Sequence, residues 1–170
     1  MALDRLHIDN VRNLRSIKLD DLQGVNVFYG PNGSGKTSVL EAIHVLGMAR
    51  SFRGASIKSL ITHESDSCTV YGLTSDTASH RPSYAMGVTR ERSGLSRIKV
   101  AGEPVRSVAQ LVEHLPLQVI NSTSFDLLVG SPNARRRFLN WGVFHVEQRF
   151  LGEWQRFQGC IKQRNVVLLR

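Results

Sequence analysis

Short apolar alternations run over Leu3–Ile8 and Arg15–Leu19, on either side of the turn-prone stretch Asn10–Asn13. Alternation with a period of two fits strands with one buried face, so the pattern predicts a β-hairpin. Gly24 then opens Val25-Asn26-Val27-Phe28-Tyr29, an apolar run of strand type. It stops at Gly30-Pro31-Asn32-Gly33-Ser34-Gly35, a dense loop signal. From Lys36 the period lengthens, with Val39, Leu40, Ile43, Leu46 and Gly47 recurring at three and four as on one helix face.

Residues 68–106 return to strand-like spacing. Thr69–Leu73, Tyr84–Thr89 and Ser96–Val100 read as antiparallel strands, with turns at Ser93-Gly94 and Ala101-Gly102-Glu103-Pro104. Ser107 and Gln110 form a capping-box pair ahead of a short helix ending at His114. Leu117–Ile120 is a candidate buried strand. Ser131-Pro132 places a capping residue before a proline at the first helical position. The helix it opens is predicted to run to the end of the chain, with a possible break at Gly142. Positions 143, 147, 150, 154, 157, 161, 164 and 168 alternate spacings of four and three. They make an imperfect seam that suits either a coiled-coil arm or an amphipathic helix on its own core.

One stretch carries chemistry. Gly30-Pro31-Asn32-Gly33-Ser34-Gly35-Lys36-Thr37 matches GxxxxGK[ST] in full, between a predicted strand and a predicted helix. Glycines let backbone N–H groups converge on phosphate oxygens, and the helix that follows adds its N-terminal donors. Lys36 supplies a charge for the β- and γ-phosphates, and the Thr37 hydroxyl is a hard ligand suited to Mg²⁺. The motif implies an α/β P-loop fold that binds a nucleotide such as ATP. Hydrolysis also needs an acid for the magnesium shell. No apolar run ending in Asp or Glu follows the loop; the nearest, Val166–Leu169, ends in Arg170.

Composition narrows the class. The chain has 170 residues, 41% apolar and 21% charged, enough for one packed domain and far from a disordered composition. No apolar run is long enough to span a membrane. Cys68 and Cys160 match no metal spacing and read as thiols of a reducing cytoplasm. The six histidines show no metal spacing either. The net charge of +8 is concentrated in residues 81–106 and 135–170. Such segments suit a polyanion, or simply solvated faces.

An ordered set of residues carries a family resemblance. Leu6-His7-Ile8-Asp9-Asn10-Val11-Arg12-Asn13-Leu14, Gly30–Ser38 with Leu40-Glu41-Ala42-Ile43, and Ser51-Phe52-Arg53 resemble the RecF family. So do Gly130-Ser131-Pro132, Arg135-Arg136, Phe138-Leu139, Trp141-Gly142, Phe144-His145 and Lys162-Gln163-Arg164-Asn165. RecF proteins are bacterial recombination and repair proteins whose ABC-type ATPase head is related to SMC proteins. The resemblance implies an N-terminal head lobe over 1–130, with the P-loop at 30–37 and an antiparallel region near 68–106. It makes 131–170 the start of a helical arm. The signature loop and the Walker B acids of that family lie in a C-terminal half, so this stretch alone is not expected to turn nucleotide over. The whole protein is expected to be a weak DNA-dependent ATPase.

The same resemblance implies further roles. ATP and Mg²⁺ would bind Gly30, Pro31, Asn32, Gly33, Ser34, Gly35, Lys36, Thr37 and Ser38, with Arg12 and Asn13 near the nucleotide. Asn121 falls where the SMC pattern has a magnesium-contacting Gln. Arg53, Arg135 and Arg136 are candidates for DNA contact. The partners implied are single-stranded, gapped and double-stranded DNA, a second copy joined through ATP, and mediators of the RecR and RecO type. The function implied is cytoplasmic: recombinational repair, fork maintenance, recombinase loading and support of the SOS response. Departures from the family pattern fall at Ser122-Thr123-Ser124, where Pro-Glu is common, and at Asn140, where Asp is usual. Two other classes fit the P-loop or the seam: a small-molecule P-loop kinase, and a non-enzymatic partner-binding fragment.

Overall fold

A computed structural model describes residues 2–54, 56–76, 81–147 and 149–168. His80, Leu169 and Arg170 therefore lie outside the described residues. The chain forms two compact units, Met1–Leu117 and Gln118–Arg170. The division falls earlier than the boundary expected near 130.

The first unit is built on one antiparallel sheet. Strands β1 (Ala2–Val11), β2 (Leu14–Leu19), β3 (Ser67–Asp76), β4 (Arg81–Glu91), β5 (Ser96–Val100) and β6 (Glu103–Val105) lie in the order β2-β1-β3-β4-β5-β6. The expected antiparallel region is thus part of a larger sheet that includes the first hairpin. Pairing register turns the alternation into rows. Ile8 faces Val70, Val70 faces Val88 and Val88 faces Ile98. One row over, Leu6, Gly72, Met86 and Val100 line up in the same way. All the apolar side chains of both rows are buried. The turn after β5 uses Ala101 and Gly102, both at positive φ, and Glu103-Pro104 already belong to the returning β6 rather than to the turn.

Helix α1 (Lys36–Met48) covers these rows with Ala42, Val45 and Leu46, all at 0% exposure. At Gly72 the helix packs close on the sheet: a Cβ built there would lie 2.4 Å from Leu46 Cδ2. Helix α2 (Ile57–Leu60) is a single turn, and α3 (Val108–His114) closes the core with Leu111. Ser107 caps α3, accepting the Ala109 N–H at 3.2 Å, but among the described residues no bond from the Gln110 side chain completes the expected capping box.

Two expected strands do not form. Residues 25–29 are irregular, with Val25, Val27 and Tyr29 78–90% exposed and Phe28 turned toward the core. Residues 117–120 are also irregular, and Ile120 is exposed. Apolar character suits a strand, but a strand also needs a neighbouring edge for its N–H and C=O groups. No described strand pairs with either segment.

The second unit holds a 3₁₀ turn (Ser122–Phe125), then α4 (Asp126–Val129), α5 (Pro132–Val146) and α6 (Phe150–Leu168). Two helices therefore replace the single long helix expected over 131–170. Gly142 does not break α5, because one glycine inside a helix costs only about 1 kcal/mol. The break comes at Glu147, which is extended (φ −118°, ψ 104°) and whose carboxylate accepts the Arg149 N–H at 3.1 Å. Glu147 was read as a seam position, so the four–three pattern does not continue along one helix. Among the described residues no helix is long and apolar enough to cross a membrane.

Candidate nucleotide site

The loop 30–35 is shaped by its glycines. Gly30, Gly33 and Gly35 all have positive φ, at 145°, 84° and 96°. A Cβ at Gly35 would also lie 2.5 Å from Leu14 Cδ2, so the loop sits hard against the start of β2. Gly35 is the N-cap of α1, and the first helical bond runs from Val39 N–H to the Gly35 carbonyl at 2.9 Å. The N–H groups of Lys36, Thr37 and Ser38 therefore have no acceptor within the helix, which leaves an anion-binding end.

Lys36 Nζ donates to the Gly30 and Pro31 carbonyls, both at 2.8 Å. The amine is thus held across the loop it would share with a phosphate. Asn13, in the tight turn between β1 and β2, ties the loop to the helix. Its Nδ2 donates to the Gly33 carbonyl at 2.9 Å, and its Oδ1 accepts from Ser38 Oγ at 2.8 Å.

Arg12 precedes it at φ 56°, a left-handed backbone that the two-residue turn requires. The end of α2 and the segment after it strap this turn in place. Arg12 N–H donates to the Leu60 carbonyl at 2.7 Å, and Thr62 Oγ1 donates to the Arg12 carbonyl at 2.9 Å. The Arg12 guanidinium then reaches Glu41 of α1 with two bonds, at 2.9 and 2.8 Å.

Glu41 has 0% exposure and three partners. Besides Arg12 it accepts from Ser51 Oγ, and Arg53 Nη1 lies 3.8 Å away. Burial pushes its carboxyl pKa up. Hydrogen bonds from Arg12 and Ser51, with the charges of Arg12 and Arg53, outweigh this and hold it below the usual value. The Glu41 hydrogen bond is also the main cause of the raised Arg12 pKa. Ser51 Oγ in turn accepts the Arg53 N–H at 2.9 Å. One buried carboxylate thereby fixes the hairpin turn, α1 and the loop that carries Arg53.

The result is a cleft of about 730 Å³. Arg12, Asn13, Asn32, Gly33, Gly35, Lys36, Thr37, Ser38 and Arg53 were all singled out from sequence, and all line it. Gly30 and Pro31 shape it through the carbonyls that hold Lys36, while Ser34 closes a turn onto the Pro31 carbonyl at 3.3 Å. Thr37 carries an exposed hydroxyl, and Ser38 is buried with its own committed to Asn13. Lys58, Ser59 and His63 also line the cleft, although sequence reasoning did not find them. Glu41 was missed as well, yet it left a trace: it shares a helix face with Ser38, Ala42 and Val45.

The remaining candidates lie in the second unit. Asn121 opens the 3₁₀ turn, its N–H donating to Ser124 Oγ at 3.0 Å. Arg135 Nη1 donates to the Gly130 carbonyl at 3.0 Å, beside the C-terminus of α4. That contact gives a cation at the start of α5 a local reason to be there. Arg136 Nη1 is 3.4 Å from Asn133 Oδ1. No group of His, Cys, Asp and Glu among the described residues is arranged to hold a metal ion. Thr37 with phosphate oxygens and water is nevertheless a reasonable donor set for Mg²⁺, which binds few protein ligands.

Comparison with known proteins bears on this cleft. The family model for the RecF/RecN/SMC N-terminal domain matches residues 2–126. The chain belongs to that family. It is 52% identical over 165 residues to the DNA replication and repair protein RecF of Stutzerimonas stutzeri, covering 97% of this chain and 44% of that protein. It is 53% identical to RecF of Pseudomonas syringae pv. syringae, with the same coverage. The chain thus spans somewhat under half the length of the RecF relatives it matches. A structure of the recombination mediator protein RecF with ATP, from the RecFOR pathway, superposes with a TM-score of 0.84 at 27% identity. That match covers 98% of this chain and 46% of the other. An SMC head bound to a winged-helix domain of ScpA superposes at 0.69 with 15% identity, covering 92% of this chain and 55% of that one, a likeness of fold alone. The RecF/SMC head fold expected from the sequence is therefore the fold observed. The family match displaces the small-molecule kinase alternative.

Proposed function

We propose that this chain forms the nucleotide-binding lobe of a RecF-type DNA repair ATPase. ATP lies with its phosphates against the 30–37 loop and the N-terminus of α1. Lys36 leaves its two loop carbonyls and takes the β- and γ-phosphates. Thr37 contributes its hydroxyl to Mg²⁺, which when bound neutralises phosphate charge. Arg12 and Asn13 border the nucleotide from the hairpin turn, and Arg53 from the loop after α1.

The observation that carries this reading is the cleft itself. It gathers Lys36, Arg12, Arg53 and Lys58 around backbone donors with no helical acceptor. Among the described residues its lining contains no carboxylate, so an anion is the ligand it suits. The RecF–ATP likeness supports ATP as that anion. In the whole protein, ATP would join two copies and close them over single-stranded, gapped or double-stranded DNA. Hydrolysis would use acids from outside this chain and release the closed form. Recombinase loading with RecR- and RecO-type mediators, support of the SOS response and a cytoplasmic site follow from the same reading.

The test measures binding of a fluorescent ATP analogue and ATP-dependent dimerisation by sedimentation, using the whole protein. Saturable binding that requires Mg²⁺ and drives dimer formation supports the proposal. Binding of neither ATP nor ADP at millimolar concentration overturns it.

A further inference from the structure

The first unit has a second cavity, of about 530 Å³, lined by the loop after α1 and by the end of β4. Helix α2 stands between the two hollows, giving Ile57 and Leu60 to this one and Lys58 and Ser59 to the nucleotide cleft. Three arginines line the second cavity: Arg50, Arg53 and Arg90. No carboxylate does so among the described residues. The nearby acid, Glu41, is already engaged by Arg12, Ser51 and Arg53.

Arg90 is the informative residue. Met86 and Val88, two and four positions before it on β4, are buried at 0% and 1% exposure. Strand alternation puts Arg90 on that same inward face, where an apolar side chain would extend the core. Its Nε is buried with no hydrogen-bond partner among the described residues. A buried donor without an acceptor is costly, so a binding acceptor is a direct explanation for keeping it. Neither Arg50 nor Arg90 has an ion-pair partner among the described residues, and Arg50 is exposed.

Two rings also line it, His44 of α1 and Phe52 of the loop that carries Arg50 and Arg53. Phe52 meets His44 edge to face, with centroids 5.5 Å apart. His44 Nδ1 lies 2.6 Å from the Arg50 carbonyl, which holds the imidazole in place. Guanidinium groups and aromatic rings lining one hollow suit a sugar-phosphate: the cations take the phosphate and the rings offer a surface for the sugar or base.

We infer that this cavity is a second anion site, which takes a backbone phosphate of nucleic acid on Arg90, Arg50 and Arg53, apart from the nucleotide cleft. The inference rests on the reading of the protein as one that handles DNA. It adds where one phosphate is held, and by which side chains. Arg53 lines both hollows and is left intact in the test.

The experiment uses the whole protein and a fluorescein-labelled single strand of mixed sequence. Anisotropy gives the affinity from about 50 to 200 mM salt. Arg50→Gln and Arg90→Gln are each expected to weaken DNA binding about tenfold and to lower the salt slope by about one. Arg90→Lys is expected to keep the slope. Affinity for a fluorescent ATP analogue should be the same in all of them. Arg50→Gln changes an exposed side chain, so its result does not depend on folding. For Arg90→Gln, a thermal melt reports folding.

Unchanged DNA affinity and slope in both glutamine variants overturn the cavity assignment while the proposed function stands. Loss of ATP-analogue affinity in Arg50→Gln also overturns it, because the two sites would then be one. Failure of the unsubstituted protein to bind DNA at any salt overturns both.

Discussion

Arg12 and Glu41, 29 residues apart in sequence, close a two-pronged ion pair beside the P-loop cleft, Nε to Oε2 at 2.9 Å and Nη2 to Oε1 at 2.8 Å. The pair is asymmetric in burial. The Arg12 side chain keeps 22% of its exposure and that of Glu41 keeps none. The cost of breaking it therefore depends on which partner is removed, since only the carboxylate loses all access to water.

Arg12→Ala should destabilise the fold by about 3 kcal/mol, the low end for a broken buried pair, because Ser51 and Arg53 still face the carboxylate. Arg12→Lys should recover part of that loss, since it keeps the charge but not the fork. Urea unfolding of both variants measures the difference. A loss below about 1 kcal/mol for Arg12→Ala would mean the pair is no stronger than a surface bridge.

The same carboxylate should shape stability in acid. Its folded pKa lies below the ordinary value, so the folded state binds its proton less readily than the unfolded chain does. The stabilisation from this group is then complete above the unfolded carboxylate pKa of about 4.3 and is lost as pH falls toward the lower folded value. Glu41→Gln removes the titration. Unfolding midpoints measured from about pH 5 to pH 3 should fall less steeply in the variant than in the parent. Parallel profiles would refute this.

Gly72→Ala tests how α1 seats on the sheet. The added Cβ would stand 2.4 Å from Leu46 Cδ2, 2.9 Å from Leu3 Cδ1 and 3.3 Å from the Arg5 carbonyl oxygen. Leu46 is fully buried and has little room to retreat. The expected cost is about 1–3 kcal/mol, typical of overpacking. A melting temperature equal to that of the parent would show that α1 can lift without penalty.

These residues also show what could be read in advance. The first hairpin, the turn at Gly94, the cap at Ser107 and the start at Ser131 rest on a few adjacent residues, and each was legible. So was the phosphate loop, whose eight residues carry their own geometry. Residues 25–29 and 117–120 were misread because apolar content does not reveal whether a neighbouring strand edge is present. Glycine is the louder signal and points to a break at Gly142, whereas α5 ends at the extended backbone of Glu147. The hub at Glu41 was invisible as a unit, since Arg12 comes to it from the hairpin turn and Ser51 and Arg53 from the loop after α1. The arginine cavity depends on where β4 ends: the strand read from sequence stops at Thr89, and only its continuation to Glu91 puts Arg90 on the face of Met86 and Val88.

Lys36→Ala separates the chemistry of the cleft from its architecture. The loop takes its shape from Gly30, Gly33 and Gly35, from the Asn13 bridge and from the seat against Leu14, none of which the substitution touches. What it removes is two hydrogen bonds to loop carbonyls and one positive charge. A charge-assisted contact contributes about 1.5–3 kcal/mol, so ATP affinity should fall by about 10- to 100-fold. Because Lys36 keeps part of its surface in water, the melting temperature should move little. Titration with a fluorescent ATP analogue beside a thermal melt reads both quantities in the whole protein. Unchanged ATP affinity would show that Lys36 stays on Gly30 and Pro31 when nucleotide binds and serves only to brace the loop. A collapsed melt would show that those two bonds carry the loop's shape and that the glycines alone do not.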